Sequence, residues 1–419
     1  MPEIIPFKGI LYNQEKISDI ISVLAPPYDV ISKEQQEKYY QNHPHNCIRL
    51  ILGKDLPEDN AKNNKYTRAA DYFNIWLTEG ILKQDDTESI YLLIQKFSHR
   101  GKKITRSGFI TLIKLEEFGT GVFPHEKTLS KPKQDRLNLM LATKANLCQV
   151  FALYSDKEGI LDECLKVDES PIIDIEDEAM ITHQLFRLTD KAMLKKIKNV
   201  MQSKPIFIAD GHHRYETALN ARKMLSYDFI MIYLTKMEDE GLTIFPTHRL
   251  IRNMPNVQLN AFEEFFEVRA IHDLPLLLEK MEKKFNHTFG MYTEGKNYLL
   301  VLKDNNIMDK LIGDEKSKEY KQLDVSILET LVIKHILKIT DIESSVSYTH
   351  DEKEAILSVN EKKCNLALFL NPTRIEQLRQ MALHHELMPQ KSTYFYPKLL
   401  SGLVMNKFVT VQRVHRFKV

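Results

Sequence analysis

Short apolar runs closed by turn residues alternate along this chain with stretches of helical period. Residues 205–209 form an apolar run of strand length, followed by the turn pair Asp210-Gly211. From Arg214 onward Tyr215, Ala218, Leu219, Arg222 and Leu225 fall at helical spacings, and residues 228–234 read as the next buried strand. Earlier, Ser32 stands as a helix N-cap before residues 33–37. Residues 61–79 put Tyr66, Ala69, Ala70, Phe73, Trp76 and Leu77 on one helical face. Strands are expected at 90–97 and 107–115 around a basic turn, and at 147–154. Residues 123–136 read as a loop that becomes helical near Lys133, and residues 184–201 as one basic helix. Beyond these come an extended segment at 245–251, mixed strands and helical pieces over 259–302, and an amphipathic helix at 323–336. A strand at 364–370 and a helix at 375–386 complete the pattern.

This alternation predicts an α+β fold, a mixed sheet carrying the strand–turn–helix around Gly211 with an additional C-terminal α/β portion closing over it. With 419 residues the chain exceeds one ordinary core. The expected division is 1–255, the core with the central turn, and 256–419, the C-terminal α/β domain. Composition changes this picture little. The formal net charge is +1 with both signs mixed throughout, which gives no broad electrostatic case for nucleic acid or a membrane surface. Four cysteines lie far apart without a Cys-x-x-Cys pair, so neither a zinc cluster nor a disulfide framework is indicated. No apolar stretch approaches the ~20 residues that cross a bilayer, and no leader pattern opens the chain, so a cytoplasmic protein is expected.

Candidate chemistry gathers in a few blocks. A polar, glycine-containing turn between strand and helix points backbone N–H groups outward, where the helix dipole favours an anion. His212, His213 and Arg214 crowd donors and positive charge onto that point. The 123–136 loop holds His125, Glu126, Thr128 and Arg136, a mixture of signs that suits an anionic substrate with a divalent cation. His248 and Arg249 form a cationic pair in an extended segment. Lys391, Ser392 and Thr393 offer a cation and two hydroxyls to a phosphate, and Lys398 follows a stiff aromatic segment. The double proline at 26–27 presents Tyr28 and Asp29 in a fixed direction. His384-His385-Glu386 reads as a polar helix end, because adjacent ligands on a helix diverge.

The Asp210-Gly-His-His-Arg214 block resembles the signature of the ParB/sulfiredoxin-like superfamily, whose members carry a Gly-x-x-Arg phosphate-binding turn at a helix start. The chain as a whole resembles a widespread bacterial family catalogued as a domain of unknown function (DUF1015). Its recurring blocks match at residues 25–31, at His125-Glu-x-Thr128 with Asp135-Arg136, at 210–214 and at 388–393. Among better understood relatives, free-serine kinases make O-phosphoserine, partition proteins bind CTP and DNA, and sulfiredoxin reduces a sulfinic acid using ATP. The shared phosphate turn falls on Gly211, His212, His213 and Arg214. The carboxylate that serine kinases place before that glycine falls on Asp210, and their early carboxylate on Asp29 or Glu126. The sulfiredoxin cysteine is replaced by His212 or His213, and no helix-turn-helix or basic surface supports DNA binding.

The resemblance implies a phosphotransferase acting on serine or O-phosphoserine, with a nucleotide, phosphate or pyrophosphate as the phosphoryl partner. Asp210, Glu126, Asp29 and His213 are its candidate catalytic groups. Gly211, His212, Arg214, His125, Thr128, Arg136, His248, Arg249, Lys391, Ser392, Thr393 and Lys398 are candidates for holding substrate or phosphate. Magnesium is the expected cofactor, on Asp210 and Glu126. A phosphoserine phosphatase using water and a nucleotide-binding regulatory module without turnover are the alternatives, and homodimerisation stays open.

Overall fold

The apolar run before Asp210 forms a strand, Ile206–Asp210, buried along all but its last residue, and the helix His212–Leu225 follows directly. Gly211 makes this junction with φ +89° and ψ 28°, a left-handed conformation that side chains resist. The computed structural model describes residues 2–128, 130–167, 169–253, 258–284 and 287–408, with the side chains of 130–132 outside that description.

The chain divides into two compact units. The first comprises Met1–Phe123, Thr128–Leu242 and Pro397–Val419, the second Pro124–Lys127 and Thr243–Tyr396. The expected boundary at 255/256 lies outside the described residues, and the division by contacts differs from it. The chain leaves the first unit at Leu242 and returns at Pro397, because the apolar stretch Leu399–Met405 is buried among first-unit partners. One of these is Ile10, which exchanges backbone hydrogen bonds with Met405 at 2.8 and 2.9 Å.

The first unit is built on a mixed sheet. Its strands are β1 (Ile4–Ile5), β2 (Ile90–His99), β3 (Lys102–Lys114), β4 (Val122–Phe123), β5 (Val150–Tyr154), β6 (Ile173–Glu176), β7 (Thr182–Leu188), β8 (Ile206–Asp210) and β9 (Phe229–Lys236). Their spatial order is β4-β8-β5-β9-β3-β2-β7-β6, with β1 also on β3. The pairs β8–β4 and β9–β5 are parallel, the others antiparallel. A register shift interrupts β8–β5 between Ile208 and Asp210, at the strand end that leads into the turn. Helices α1 (Lys33–Asn42), α2 (Lys65–Thr78), α3 (Ser130–Thr143), α4 (Lys191–Met201) and α5 (His212–Leu225) complete the unit. Its core joins Phe109, Tyr154, Leu188, Ile197, Ile208, Tyr215 and Ala218, burying the inward faces of α4 and α5 on the sheet. As expected, Ser32 caps α1 through a capping box with Gln35.

One expected element is corrected. Residues 184–201 are not a single helix: β7 occupies Thr182–Leu188, and α4 begins at Lys191 behind the N-cap Asp190, whose side chain accepts from the Met193 amide at 2.8 Å. Strand β7 lies between β2 and β6 in the sheet, and Leu185 on one face and Phe186 and Leu188 on the other are all buried. That erases the alternation by which a half-exposed strand is recognised. Helix α3 likewise starts at Ser130 rather than near Lys133.

The second unit carries a six-stranded sheet, made of β10 (His248–Ile251), β11 (Phe266–Ile271), β12 (Thr288–Thr293), β13 (Lys296–Leu302), β14 (Val346–Thr349) and β15 (Leu366–Phe369). The order is β11-β13-β12-β15-β10-β14, antiparallel throughout. The amphipathic stretch at 323–336 folds as a helix, Asp324–Ile327, that widens into a π-helix over Leu328–Ile336. The protein is thus a mixed α/β structure, with a mixed sheet bearing the strand–turn–helix in its first unit.

Candidate functional site

The conspicuous sequence blocks fall into two clusters, one in each unit. In the first unit, Asp210 ends β8 and Arg214 stands one turn into α5, so a strand end and a helix start place them side by side. The guanidinium folds back over Gly211. A Cβ at that position would meet Arg214 Nε at 2.8 Å and Cζ and Nη2 at 2.9 Å, which together with the left-handed φ requires glycine. Arg214 Nη2 donates to Asp210 Oδ2 at 3.1 Å, and its Nη1 donates to the Gln149 carbonyl. Lys398, in the returning C-terminal segment, brings its ammonium to 3.5 Å from Asp210 Oδ1. The carboxylate therefore carries a cation on each oxygen. Burial works against the charge of Arg214, but Asp210, Cys148, Asp29 and Tyr28 outweigh it and raise the guanidinium pKa.

Arg136, on α3, lies 3.8 Å above the Tyr28 ring centroid, donates through Nε to Asp135 Oδ2 at 2.9 Å and through Nη1 to the Ile51 carbonyl at 2.8 Å. Asp135 also accepts from the Tyr66 hydroxyl at 2.9 Å. Although burial pushes its carboxyl upward, Arg136, Tyr66 and Lys65 hold it below the usual range. Tyr28 is pushed up to about 12, mainly by burial, with Arg136 and Arg214 opposing. Asp29 beside it is exposed. Tyr28, Arg136 and Arg214 edge a small cleft. Tyr28, Arg136, Arg214 and Cys148 mark its polar side, and Leu139, Met140, Leu147 and Ile230 its apolar walls. Burial raises the Cys148 thiol pKa against the pull of Arg214, and its sulfur lies 3.1 Å from Ser401 Oγ.

His212 is buried and His213 partly exposed at the start of α5. Thr128 is engaged elsewhere: its hydroxyl donates to Glu216 Oε2 at 2.5 Å, and Lys133 reaches Glu216 Oε1 at 2.8 Å. Those bonds hold the Glu216 carboxyl low despite its burial.

The second unit holds the remaining candidates, and there several of the polar groups bond to one another or to nearby backbone. His125 is fully buried, with Nε2 at 3.0 Å from Thr393 Oγ1, and its carbonyl accepts from the Met388 amide at 2.8 Å. Glu126 Oε1 accepts the Lys391 amide at 2.8 Å, where Lys391 has φ +55°. The Ser392 hydroxyl donates to the Pro389 carbonyl at 2.6 Å. His248 is a core residue of β10, packed on Phe369 with ring centroids 5.1 Å apart, and its Nδ1 accepts the Leu370 amide at 3.3 Å. Arg249 is also buried. It donates to the Thr247 carbonyl and covers the Tyr348 ring at 5.3 Å. Burial lowers its pKa, with Tyr348, Glu329 and Glu126 opposing.

Asp29, Asp210, Gly211, His212, His213, Arg214, Arg136 and Lys398 thus belong to the first unit, and His125, Glu126, His248, Arg249, Lys391, Ser392 and Thr393 to the second. Asp210 and Glu126, expected to share a metal ion, are in different units. Among the described residues no group of three or more His, Cys, Asp and Glu side chains is placed to hold a metal. Sequence reading passed over Cys148, Gln149 and Asp135 as parts of the site. Only Asp135, beside Arg136 in a recurring block, had a sequence signal.

No helix among the described residues is long and apolar enough to cross a membrane. No curated protein matches the chain. Solved structures give distant likenesses. A conserved hypothetical protein from Pyrococcus furiosus is 12% identical with a TM-score of 0.35, over 68% of this chain and 90% of that one. A free serine kinase in complex with AMP is 12% identical with a TM-score of 0.37, over 68% and 86%. SbnI from Staphylococcus aureus, C-terminally truncated, is 9% identical with a TM-score of 0.36, over 70% and 85%. Likeness at this level transfers no residue role. The sequence match is of another order: over residues 4–326 the chain matches the family described as "Protein of unknown function (DUF1015)", and it belongs to that family.

Proposed function

We propose that this protein is a phosphotransferase acting on serine or O-phosphoserine at the turn Asp210–Arg214 of its first unit. The observation that carries the reading is the convergence of Arg214 and Lys398 on the two oxygens of Asp210, beside a glycine that makes room for the Arg214 guanidinium. Phosphoryl transfer is catalysed chiefly by cations placed around the moving group, with a carboxylate to take the hydroxyl proton. Arg214, Arg136 and Lys398 supply the cations. Once phosphate oxygens have drawn those cations off its carboxylate, Asp210 accepts the serine hydroxyl proton as that oxygen bonds to phosphorus and the donor's oxygen leaves. In the reverse direction Asp210 returns the proton. His212 and His213, at the helix start, complete the anion-binding end.

The apolar walls of the adjoining cleft favour a nucleotide over bare phosphate or pyrophosphate as partner, since an apolar pocket edged by arginines suits a base joined to phosphates. Magnesium fits as an ion that arrives with the phosphates and keeps them as most of its ligands. The exposed Asp29 is a protein carboxylate that would hold it, Asp210 being kept for the serine hydroxyl proton.

Phosphorus NMR of the purified protein with magnesium tests the reading, using phosphoserine with and without inorganic phosphate, then serine with ATP, ADP or pyrophosphate. A new phosphoserine or phosphoanhydride resonance is the expected result. Free phosphate that forms without any acceptor would replace the proposal by a phosphatase. Silence in every sample, with nucleotide still bound, would replace it by a binding module.

A further inference from the structure

Across three neighbouring strands of the first unit, His183 on β7, Gln95 on β2 and Arg106 on β3 stand opposite one another in register. All three side chains are fully buried. Such a row of polar groups in a sheet interior is costly unless each atom is matched. Arg106 can only donate, and its Nη2 donates to Gln95 Oε1 and, at 2.6 Å, to the Pro397 carbonyl. With its oxygen facing Arg106, the Gln95 amide turns its nitrogen the other way. Nε2 donates to the Lys398 carbonyl at 3.2 Å and meets His183 Nδ1 at 3.3 Å. Since that nitrogen donates, His183 Nδ1 accepts and the imidazole proton resides on Nε2, 2.9 Å from Asp177 Oδ2. Asp177 Oδ1 in turn accepts the amides of Ala179 and Ile181 at 2.9 and 3.0 Å. Every step of the row has one permitted direction. It ends on two consecutive carbonyls, those of Pro397 and Lys398.

These are the first residues of the segment that returns to the first unit, and Lys398 is the residue whose ammonium stands 3.5 Å from Asp210. Arg106 itself packs against two aromatic rings, 4.8 Å from the Phe151 ring centroid and 5.8 Å from that of Tyr233. Its position therefore cannot relax with the flexible stem of a surface cation. A four-carbon lysine side chain places its charge only as well as its backbone is fixed.

We infer that Arg106 and Gln95 are positioning residues: they clamp the carbonyls of Pro397 and Lys398 so that the Lys398 ammonium is set at the Asp210–Arg214 turn. Their role in turnover rests on the phosphotransfer reading above. The clamp itself does not, and the test separates the two.

In the full-length protein without ligand, the rate of reductive methylation at Lys398 is followed by peptide mass spectrometry. Gln95→Glu keeps the size of the side chain and an acceptor for Arg106 but removes both donors. Arg106→Lys keeps the charge and shortens its reach. Lys398 is expected to label several-fold faster in either variant while other lysines keep their rates. In the phosphoserine assay, kcat is expected to fall roughly tenfold, about 1.4 kcal/mol, with KM nearly unchanged. A double variant Gln95→Glu with Lys398→Gln should be no slower than Lys398→Gln alone, because the two act through one group. Unchanged labelling of Lys398 in both variants, or additive losses in the double variant, would overturn the inference. Faster labelling in a protein that turns over no phosphoserine would retain the clamp and remove the phosphotransfer reading.

Discussion

The two polar clusters look alike in sequence and differ in what their atoms do. In the second unit, His125 meets Thr393, Glu126 holds the Lys391 amide and Ser392 closes on Pro389, so the segment 124–127 is stitched to residues 388–393. In the first unit, Arg214 and Lys398 meet on one carboxylate at the edge of an open cleft. Dense polar residues bonded to one another make a tie. Cations that converge on a carboxylate beside a cleft make the proposed binding site, where an incoming phosphate would take over the bonds that Asp210 now holds.

The largest effect expected from this contrast is that of Asp210→Asn, which removes the proton acceptor. Turnover of phosphoserine should fall by about 10²–10⁴-fold, with circular dichroism and melting temperature close to wild type. Wild-type turnover would move the reaction away from this turn. Next comes Arg214→Ala, measured by calorimetric titration with inorganic phosphate. Removing a charge-assisted bond should weaken binding by about 1.5–3 kcal/mol, and an unchanged affinity would break the comparison from the first-unit side.

Thr393→Val probes the other cluster. It deprives buried His125 of a partner and should cost stability by about 1–2 kcal/mol in urea unfolding, with phosphate affinity unaltered. A loss of affinity equal to that of Arg214→Ala would show that the tie binds ligand after all. The smallest effect concerns the Cys148 thiol, which burial holds above its usual value against Arg214. Only the thiolate alkylates, so a raised pKa means slower reaction with iodoacetamide at pH 7 than an unburied thiol shows, with the rate climbing as pH rises. Rapid labelling at pH 7 would show that the guanidinium dominates this corner of the cleft.

How much of this was legible in the chain depended on how local its causes are. The strand, glycine and helix at 206–225 were readable because an apolar run, a left-handed residue and a helical period act within one short stretch. The cap at Ser32 was readable for the same reason. Strand β7 was not, since buried residues on both its faces remove the alternation that marks a strand. The blocks marked residues that the fold gathers into two clusters. They could not show that the Thr128 hydroxyl goes to Glu216 or that His248 is packed on Phe369, because those partners are remote in sequence. Arg106 left no trace at all, its role coming entirely from the register of three strands.

The late return of the chain to its first unit has a consequence for biogenesis. Ile10 leaves the ribosome long before its backbone partner Met405. Asp210 and Arg214 likewise emerge well before Lys398. Pairings of such sequence separation form slowly, since most of the chain must be ordered before they are rewarded. During synthesis Asp210 and Arg214 are therefore for a time without Lys398 beside them, and that second cation joins the carboxylate only once the chain has returned to its first unit.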